Sequence, residues 1–299
     1  AADFAGKVPP PKCAPSTGKT VAVIGGGPGG LSAAYYLQLM GHQVTVYEML
    51  PELGGMLRYG IPNYRLPKDR LGEDIQAILD TGVQVKHGLR IGTDVTVQEL
   101  RASYDAVLIT IGASTDKKLG IEGEDAEGVM SAVRFLRDVG KGINPDLAGQ
   151  EVAIVGGGNV SMDAVRSAVR LGAKKVSILY RRRTADMTAL PAEIEGAIAE
   201  GVEIRTLRAP SRIETDENGH IRGIYVTPQM ISEVKGGRAS VKASGLPDEF
   251  VPCTTLIVAI GQNIETEHFE KAGLPVERGK IMAEKFGGFS NLPGVFAGG

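Results

Sequence analysis

Cysteine is almost absent from this chain: Cys13 and Cys253 are the only two among 299 residues. Standing so far apart, they make no CxxC pair, which speaks against a dithiol disulfide reductase, and their scarcity fits a reducing cytoplasm. No run of 18 or more apolar residues occurs, so no transmembrane helix is predicted. The opening AADFAGKVPPPKCAPSTGK lacks the apolar core of a secretory leader. A net charge of −2 gives no reason to expect nucleic acid or an acidic membrane surface as partner. The four histidines, His42, His87, His220 and His268, share no metal-ligand spacing. P-loop lysine and nucleophile elbow are missing too, so no catalytic side chain is nominated.

Glycine, by contrast, is abundant, with 41 residues clustered where turns and phosphate loops need them. The most informative stretch is VAVIGGGPGGLSAAYYLQLMGHQVTVYE, Val21–Glu48. An apolar strand runs into Gly25-x-Gly27-x-x-Gly30, a helix of about Leu31–Met40 follows, and a second strand ends on an acid. This is the dinucleotide-binding fingerprint in its full strand–turn–helix–strand setting. Gly25 permits the tight turn, Gly27 lets backbone approach a pyrophosphate, and Gly30 lets helix and strand pack closely. The free N–H groups and dipole of the helix start favour phosphate. Glu48 suits a ribose diol and repels a 2′-phosphate, so this site is expected to hold FAD or NAD rather than NADP.

The motif then repeats. VAIVGGG, Val152–Gly158, copies VAVIGGG with only Val and Ile exchanged, a helix of about Val160–Leu171 follows, and the strand Val176–Tyr180 matches Val44–Glu48. The copies differ where discrimination matters. Ser161 replaces the third glycine, and Tyr180, followed by Arg181-Arg182-Arg183, replaces the acid. Guanidinium pairs with phosphate bidentately, so this second site is expected to prefer NADPH.

Between and beyond the copies, Gly54-Gly55-Met56 offers backbone for close ligand approach, and Pro62 and Pro67 bracket a stiff loop. Helices are predicted over Lys68–Thr81, Val97–Arg101 and Val129–Val139, and another within MTALPAEIEGAIAEGV. Tyr104–Ala113 and Thr254–Gln262 read as buried strands meeting glycine turns at Gly112 and Gly261, where open sheets bind ligands. Glu203–Pro252 is expected to form short antiparallel strands with a hairpin turn at Asn218-Gly219. The reading is α/β, with two Rossmann-like nucleotide-binding domains: linker 1–18, first domain 19–120, second domain 121–256, and a return to the first over 257–299. The Pro-rich start (Pro9, Pro10, Pro11, Pro15) reads as a linker, and Gly298-Gly299 as the start of a phosphate-facing turn, so a fragment is expected.

Residues 15–299 resemble the FAD/NADPH oxidoreductase module of glutamate synthase small subunits, which also occurs in dihydropyrimidine dehydrogenase and in the large subunit of NADH-dependent ferredoxin:NADP oxidoreductase. The motifs are VAVIGGGPGGLSAA, YEMLPELGGMLRYGIPNYRLPK, VLITIGA, VAIVGGGNVSMDAVRSAVRLGA with YRRR, LIVAIGQ and LPGVFAGG. The resemblance implies an NADPH domain inserted into an FAD domain. FAD would be held by Gly25, Gly27, Pro28, Gly29, Gly30, Glu48, Gly55, Met56, Arg65, Ile91, Gly112, Gly298 and Gly299. NADPH would be held by Gly156, Gly158, Asn159, Val160, Arg181 and Arg182, with Ala259, Ile260 and Gly261 near the nicotinamide. It further implies electron transfer to iron–sulfur clusters in an upstream cysteine-rich domain or a partner subunit, and a downstream Asp on the ribityl chain. A disulfide-reductase relative and a non-catalytic nucleotide-binding module stand as the alternative readings.

Overall fold

A computed structural model describes residues 11–235, 238–289 and 291–299. Most of the expected Pro-rich linker, residues 1–10, lies outside the described residues. Two compact units emerge. One comprises the chain up to Arg58, Asn63–Ser114 and Ile264–Gly299; the other comprises Tyr59–Pro62 and Thr115–Asn263.

In chain order the elements begin with β1 (Thr20–Ile24), α1 (Pro28–Leu39), β2 (Gln43–Glu48), α2 (Met56–Tyr59), α3 (Lys68–Leu79), β3 (Gln84–His87), α4 (Val97–Ser103) and β4 (Ala106–Ile109). The chain continues through β5 (Thr115–Asp116), β6 (Val129–Ser131), α5 (Ala132–Gly140), β7 (Glu151–Val155), α6 (Asn159–Arg170), β8 (Lys175–Tyr180), α7 (Pro191–Ala199) and β9 (Glu203–Thr206). After these come β10 (Arg208–Thr215), β11 (Ile221–Lys235), β12 (Arg238–Ala243), β13 (Glu249–Pro252), β14 (Thr255–Val258) and β15 (Gln262–Asn263). The last elements are α8 (Glu267–Lys271), β16 (Val276–Glu277), β17 (Lys280–Ile281) and β18 (Val295–Ala297).

The first unit is built on a parallel sheet of order β18-β4-β1-β2-β3. Its central strands are buried on both faces, which is why β1 reads as continuous VAVI rather than alternating. Val21 and Val23 face one core with Leu31 and Ala34 of α1, while Ala22 and Ile24 face another with Val97 and Leu100 of α4. That period of two is the pleat, and each of the valines, leucines and the isoleucine contributes about 1.5–3 kcal/mol on burial. Pro28 starts α1 with its φ already helical, and Gly41 at φ +87° ends it. Thr96 and Glu99 close a capping box on α4.

The second unit repeats the plan with a parallel sheet of order β6-β14-β7-β8-β9. Val152 and Ile154 pack with Met162, Val165 and Ala168 of α6. Its other face differs. Ala153 and Val155 are covered by Ile213, Ile224, Val226 and Val251 of an antiparallel sheet, in which β11 pairs with β10, β12 and β13.

Several expectations need correction. Val129–Ser131 is a strand that pairs with β14, and the helix begins only at Ala132, where the Ser131 hydroxyl accepts from Arg134 N. Glu203–Thr206 joins the parallel sheet beside β8, and β11 is one 15-residue strand rather than several short ones. Ile257 and Val258 hydrogen-bond into the second unit's sheet, so the chain returns to the first unit at Ile264, not at 257; likewise Thr115–Gly120 sides with the second unit. No helix among the described residues is long and apolar enough to cross a membrane.

Candidate functional site

In the first unit the loop between β1 and α1 is held from beneath. Gly25 has φ +102°, and a Cβ there would stand 2.6 Å from Thr110 O. A Cβ on Gly30 would stand 1.9 Å from Gly25 O, so only glycine lets α1 lie this close to its own loop. Thr110 donates its hydroxyl to Ile24 O (2.9 Å) and Gly25 O (3.1 Å). Glu48 is 5% exposed at the tip of β2; its Oε2 accepts from Gly26 N and its Oε1 from Leu50 N, each at 2.8 Å. Each oxygen keeps a further lone pair for a donor such as a sugar hydroxyl.

Glycine backbone gathers around this loop. Gly54 N donates to Gly26 O at 2.8 Å. A Cβ on Gly55 would come 2.8 Å from Gly27 Cα, and one on Gly29 would come 3.2 Å from Gly299 Cα. Gly298 N donates to Ile109 O, which lays the end of the chain beside β4. Gly112, at φ +61°, has open space where a Cβ would be. Pro28 and Met56 open α1 and α2. The structure therefore brings Gly25, Gly27, Gly29, Gly30, Glu48, Gly55, Gly298 and Gly299 together at the carboxyl edge of the sheet. Ile91 is 7% exposed in the core that holds Ile24, Val97 and Leu100, and Arg65 stands in the turn before Pro67.

The second unit builds the same feature with other side chains. Gly156 has φ +149°, and a Cβ there would stand 2.4 Å from Ala259 O. Gly158 is the N-cap of α6 and accepts from Ser161 N and Met162 N. The loop is strapped by Met187–Leu190: Thr188 N and Ala189 N donate to Gly157 O, and Leu190 N donates to Asn159 Oδ1 at 2.9 Å. Tyr180 lays its ring on Gly157, where a Cβ would come 2.6 Å from the ring, and donates its hydroxyl to Asp186 O at 2.7 Å. Ser161 is fully buried, and its hydroxyl has no partner among the described residues. Val160 packs on the α6 core and Ile260 on the core beneath the antiparallel sheet. Gly261, at φ +120°, turns the chain after β14.

The three arginines are treated unequally. Arg181 is exposed. Arg182 donates Nε to Ala239 O at 3.0 Å. Arg183 is committed to Asp186 through Nε (2.8 Å) and Nη2 (2.9 Å), and alone of the three has a carboxylate partner among the described residues. Those contacts, together with Thr110, Thr188 and Asp186, had no signal in local spacing. Aligning VLITIGA with LIVAIGQ would have drawn attention to Thr110, since Ala259 stands in its place.

Two parallel sheets, each with a glycine loop leading into a helix N-terminus, define a protein with two dinucleotide-binding folds. The family model described as pyridine nucleotide-disulphide oxidoreductase matches residues 19–299, and the chain belongs to that family. It is 42% identical over 288 residues to the NADP(+)-dependent formate dehydrogenase subunit beta of Moorella thermoacetica, covering 95% of this chain and 40% of that protein. It is 34% identical over 302 residues to the glutamate synthase (NADPH) small chain of Escherichia coli strain K12, covering 95% of this chain and 63% of that one. The chain thus spans less than two thirds of these relatives. Among solved structures, FprA from Mycobacterium tuberculosis in complex with NADPH aligns with a TM-score of 0.77 at 21% identity, over 94% of this chain and 78% of that chain.

Proposed function

We propose that this chain is the nucleotide-handling part of an NADPH-dependent flavoprotein oxidoreductase, with FAD on the first unit and NADPH on the second. The observation that carries the reading is the contrast between the two strand tips. A buried carboxylate closes the first glycine loop, whereas arginines follow the second.

The residues present fit both groups. Gly27 and Gly55 leave backbone bare beside the α1 N-terminus, where a diphosphate would accept N–H bonds. Glu48 would accept from the adenosine ribose of FAD, and it would repel an added phosphate there. Gly158, Asn159 and Val160 would present the α6 N-terminus to the NADPH diphosphate, and Arg181 and Arg182 would pair with its 2′-phosphate. Flavin and nicotinamide would supply the hydride and electron chemistry between them. The protein's part is position and electrostatics, so no side chain is assigned as acid, base or nucleophile. Met56, Arg65, Ile91, Gly112, Ala259, Ile260 and Gly261 remain in the proposed binding set.

Onward transfer to iron–sulfur clusters, in a partner subunit or a further domain, is part of this reading. The relatives' names support a partner subunit: each is a subunit or small chain of an NADP-linked enzyme. A cytoplasmic setting is part of it as well, and rests on the cysteine usage. The disulfide-reductase alternative lacks a dithiol, since Cys13 and Cys253 are both free and Cys253 is buried. The test is flavin-loaded protein reduced by NADPH or NADH in a stopped-flow spectrometer. The flavin band is expected to bleach faster with NADPH, and equal rates would refute the assignment of Arg181 and Arg182. Protein that binds NADPH but is colourless and without diaphorase activity would favour the non-catalytic module.

A further inference from the structure

The arginine run after β8 is fixed at more points than a solvated turn requires. The Asp186 side chain is fully buried and accepts four N–H bonds. Oδ2 takes Arg183 N (3.2 Å) and Nε (2.8 Å); Oδ1 takes Arg183 Nη2 and Ala239 N, each at 2.9 Å. The same Ala239, on β12, gives its carbonyl to Arg182 Nε. On the other side, Leu207 N donates to Arg182 O (3.1 Å) while Leu207 O accepts from Gln229 N (2.8 Å) on β11. Leu207 holds φ +56°, a left-handed conformation that disfavours a side chain with a Cβ. Such strain persists where the surroundings over-determine the backbone, and it concentrates at ligand clamps. Both strands of the β11–β12 hairpin are therefore stitched to the arginine run, Gln229 through Leu207 and Ala239 through Asp186 and Arg182.

A guanidinium held at Nε keeps its two Nη groups as a fork for one anion, with less freedom to lose on binding. Arg183 has instead spent its fork on Asp186. We infer that Asp186 is a positioning residue for NADP selectivity, and that the β11–β12 hairpin, through Ala239, orients Arg182 for the 2′-phosphate of the nucleotide, Arg183 acting as the latch. The inference rests on the assignment of Arg181 and Arg182 proposed above.

The experiment compares KM for NADPH and for NADH in the flavin-loaded protein, for Asp186→Asn and, as a second route to the same latch, Arg183→Gln. Each is expected to lower the NADPH-over-NADH preference about tenfold, equivalent to about 1.4 kcal/mol, through KM for NADPH. Titration with 2′,5′-ADP, a probe that needs no turnover, should weaken by a similar factor. An equal change in both KM values, or an unchanged preference in both variants, would overturn the inference, because a merely structural role moves both nucleotides together. An Arg183→Gln effect larger than that of Arg182→Gln would also overturn it, by making Arg183 the ligand. Arg182→Gln is the control on the underlying reading: if it leaves the preference intact, the arginine assignment itself fails, whatever Asp186 does.

Discussion

The two parallel sheets share the order of four strands, β4-β1-β2-β3 and β14-β7-β8-β9, while the outer strand comes last in the first unit (β18) and first in the second (β6). They differ also in how each fills the space beneath its glycine loop. In the first unit the helix contributes nothing there: Gly30 sits against Gly25 O, and the hydroxyl of Thr110, from the neighbouring strand, fills the gap. In the second unit the helix contributes Ser161 and the strand contributes only Ala259. A Gly–Thr pair in one copy is a Ser–Ala pair in the other, so side-chain volume has moved from strand to helix. The third glycine of the motif is thus one member of a strand–helix pair, and its size can be read only together with its partner. The strand tips diverge in the same spirit. Glu48 turns inward onto Gly26 N, whereas Tyr180 covers Gly157 with its ring and carries no charge to oppose a phosphate.

The largest effect is expected where that pairing is violated. Gly30→Ser places a Cβ 1.9 Å from a backbone oxygen and 2.7 Å from Thr110 Oγ1. It should destabilise the first unit by about 3 kcal/mol, the upper end for overpacking, and release flavin; Thr110→Ala should recover only part, because Gly25 O does not move away. The mirror change, Ser161→Gly, should cost only about 1 kcal/mol, the helix cost of glycine, since the lost hydroxyl has no partner among the described residues. Thermal unfolding of both variants, with flavin content, checks the asymmetry. Equal losses would mean the two loops are packed alike.

Next in size is the charge contrast. Replacing both Arg181 and Arg182 by Gln should raise KM for NADPH by about 100-fold, as expected for two charge-assisted bonds of about 1.5–3 kcal/mol each, not fully additive. KM for NADH should stay within about twofold. Steady-state reduction of an artificial acceptor measures both, and a parallel rise with NADH would remove the contrast between the tips.

How much of this was legible in the sequence follows from which interactions are local. The β1–α1–β2 and β7–α6–β8 units were readable because a phosphate loop needs glycine at fixed spacing and a buried parallel strand needs unbroken apolar residues. The strand at Val129–Ser131 was not readable, because three residues carry no period and only pairing with β14 makes them a strand. Local pattern likewise could not show that Ile257 stays with the second sheet. At the candidate site, the place of Glu48 beside the glycine loop was readable from its distance along the chain. The division among the three arginines was not, because Asp186 and Ala239 decide it from different elements. Thr110 escaped for the same reason.

A smaller effect separates Glu48 from Tyr180. Glu48→Gln sets an amide N–H₂ against Gly26 N or Leu50 N, both donors, and should cost about 1–3 kcal/mol, the penalty for a buried unsatisfied group. Tyr180→Phe loses one bond to Asp186 O and should cost about 1 kcal/mol. Urea unfolding curves and flavin retention read both, and the sharper expectation is that only Glu48→Gln loosens flavin.

The smallest effect tests the face on which the two units differ most. The first sheet is covered there by α4 and its neighbours, the second by the antiparallel sheet, and Cys253 lies beneath that cover, 2% exposed among Ile213, Ile224 and Val251. Burial pushes its thiol up to about 12 from 9.0, with the Glu151 carboxylate adding to the rise. Cys13 is exposed. Only the thiolate attacks an aromatic disulfide reagent, so at pH 8 one thiol per chain should react promptly and the second only after unfolding. The sign of the linkage follows: the unfolded thiol ionises near pH 9 while the folded one stays neutral, so its contribution to stability is complete below pH 9 and falls away as pH rises towards 12. Prompt reaction of both thiols in the native protein would mean that the antiparallel cover opens readily. The second unit would then be held chiefly by its α5 and α6 face, which packs as the α1 face does in the first.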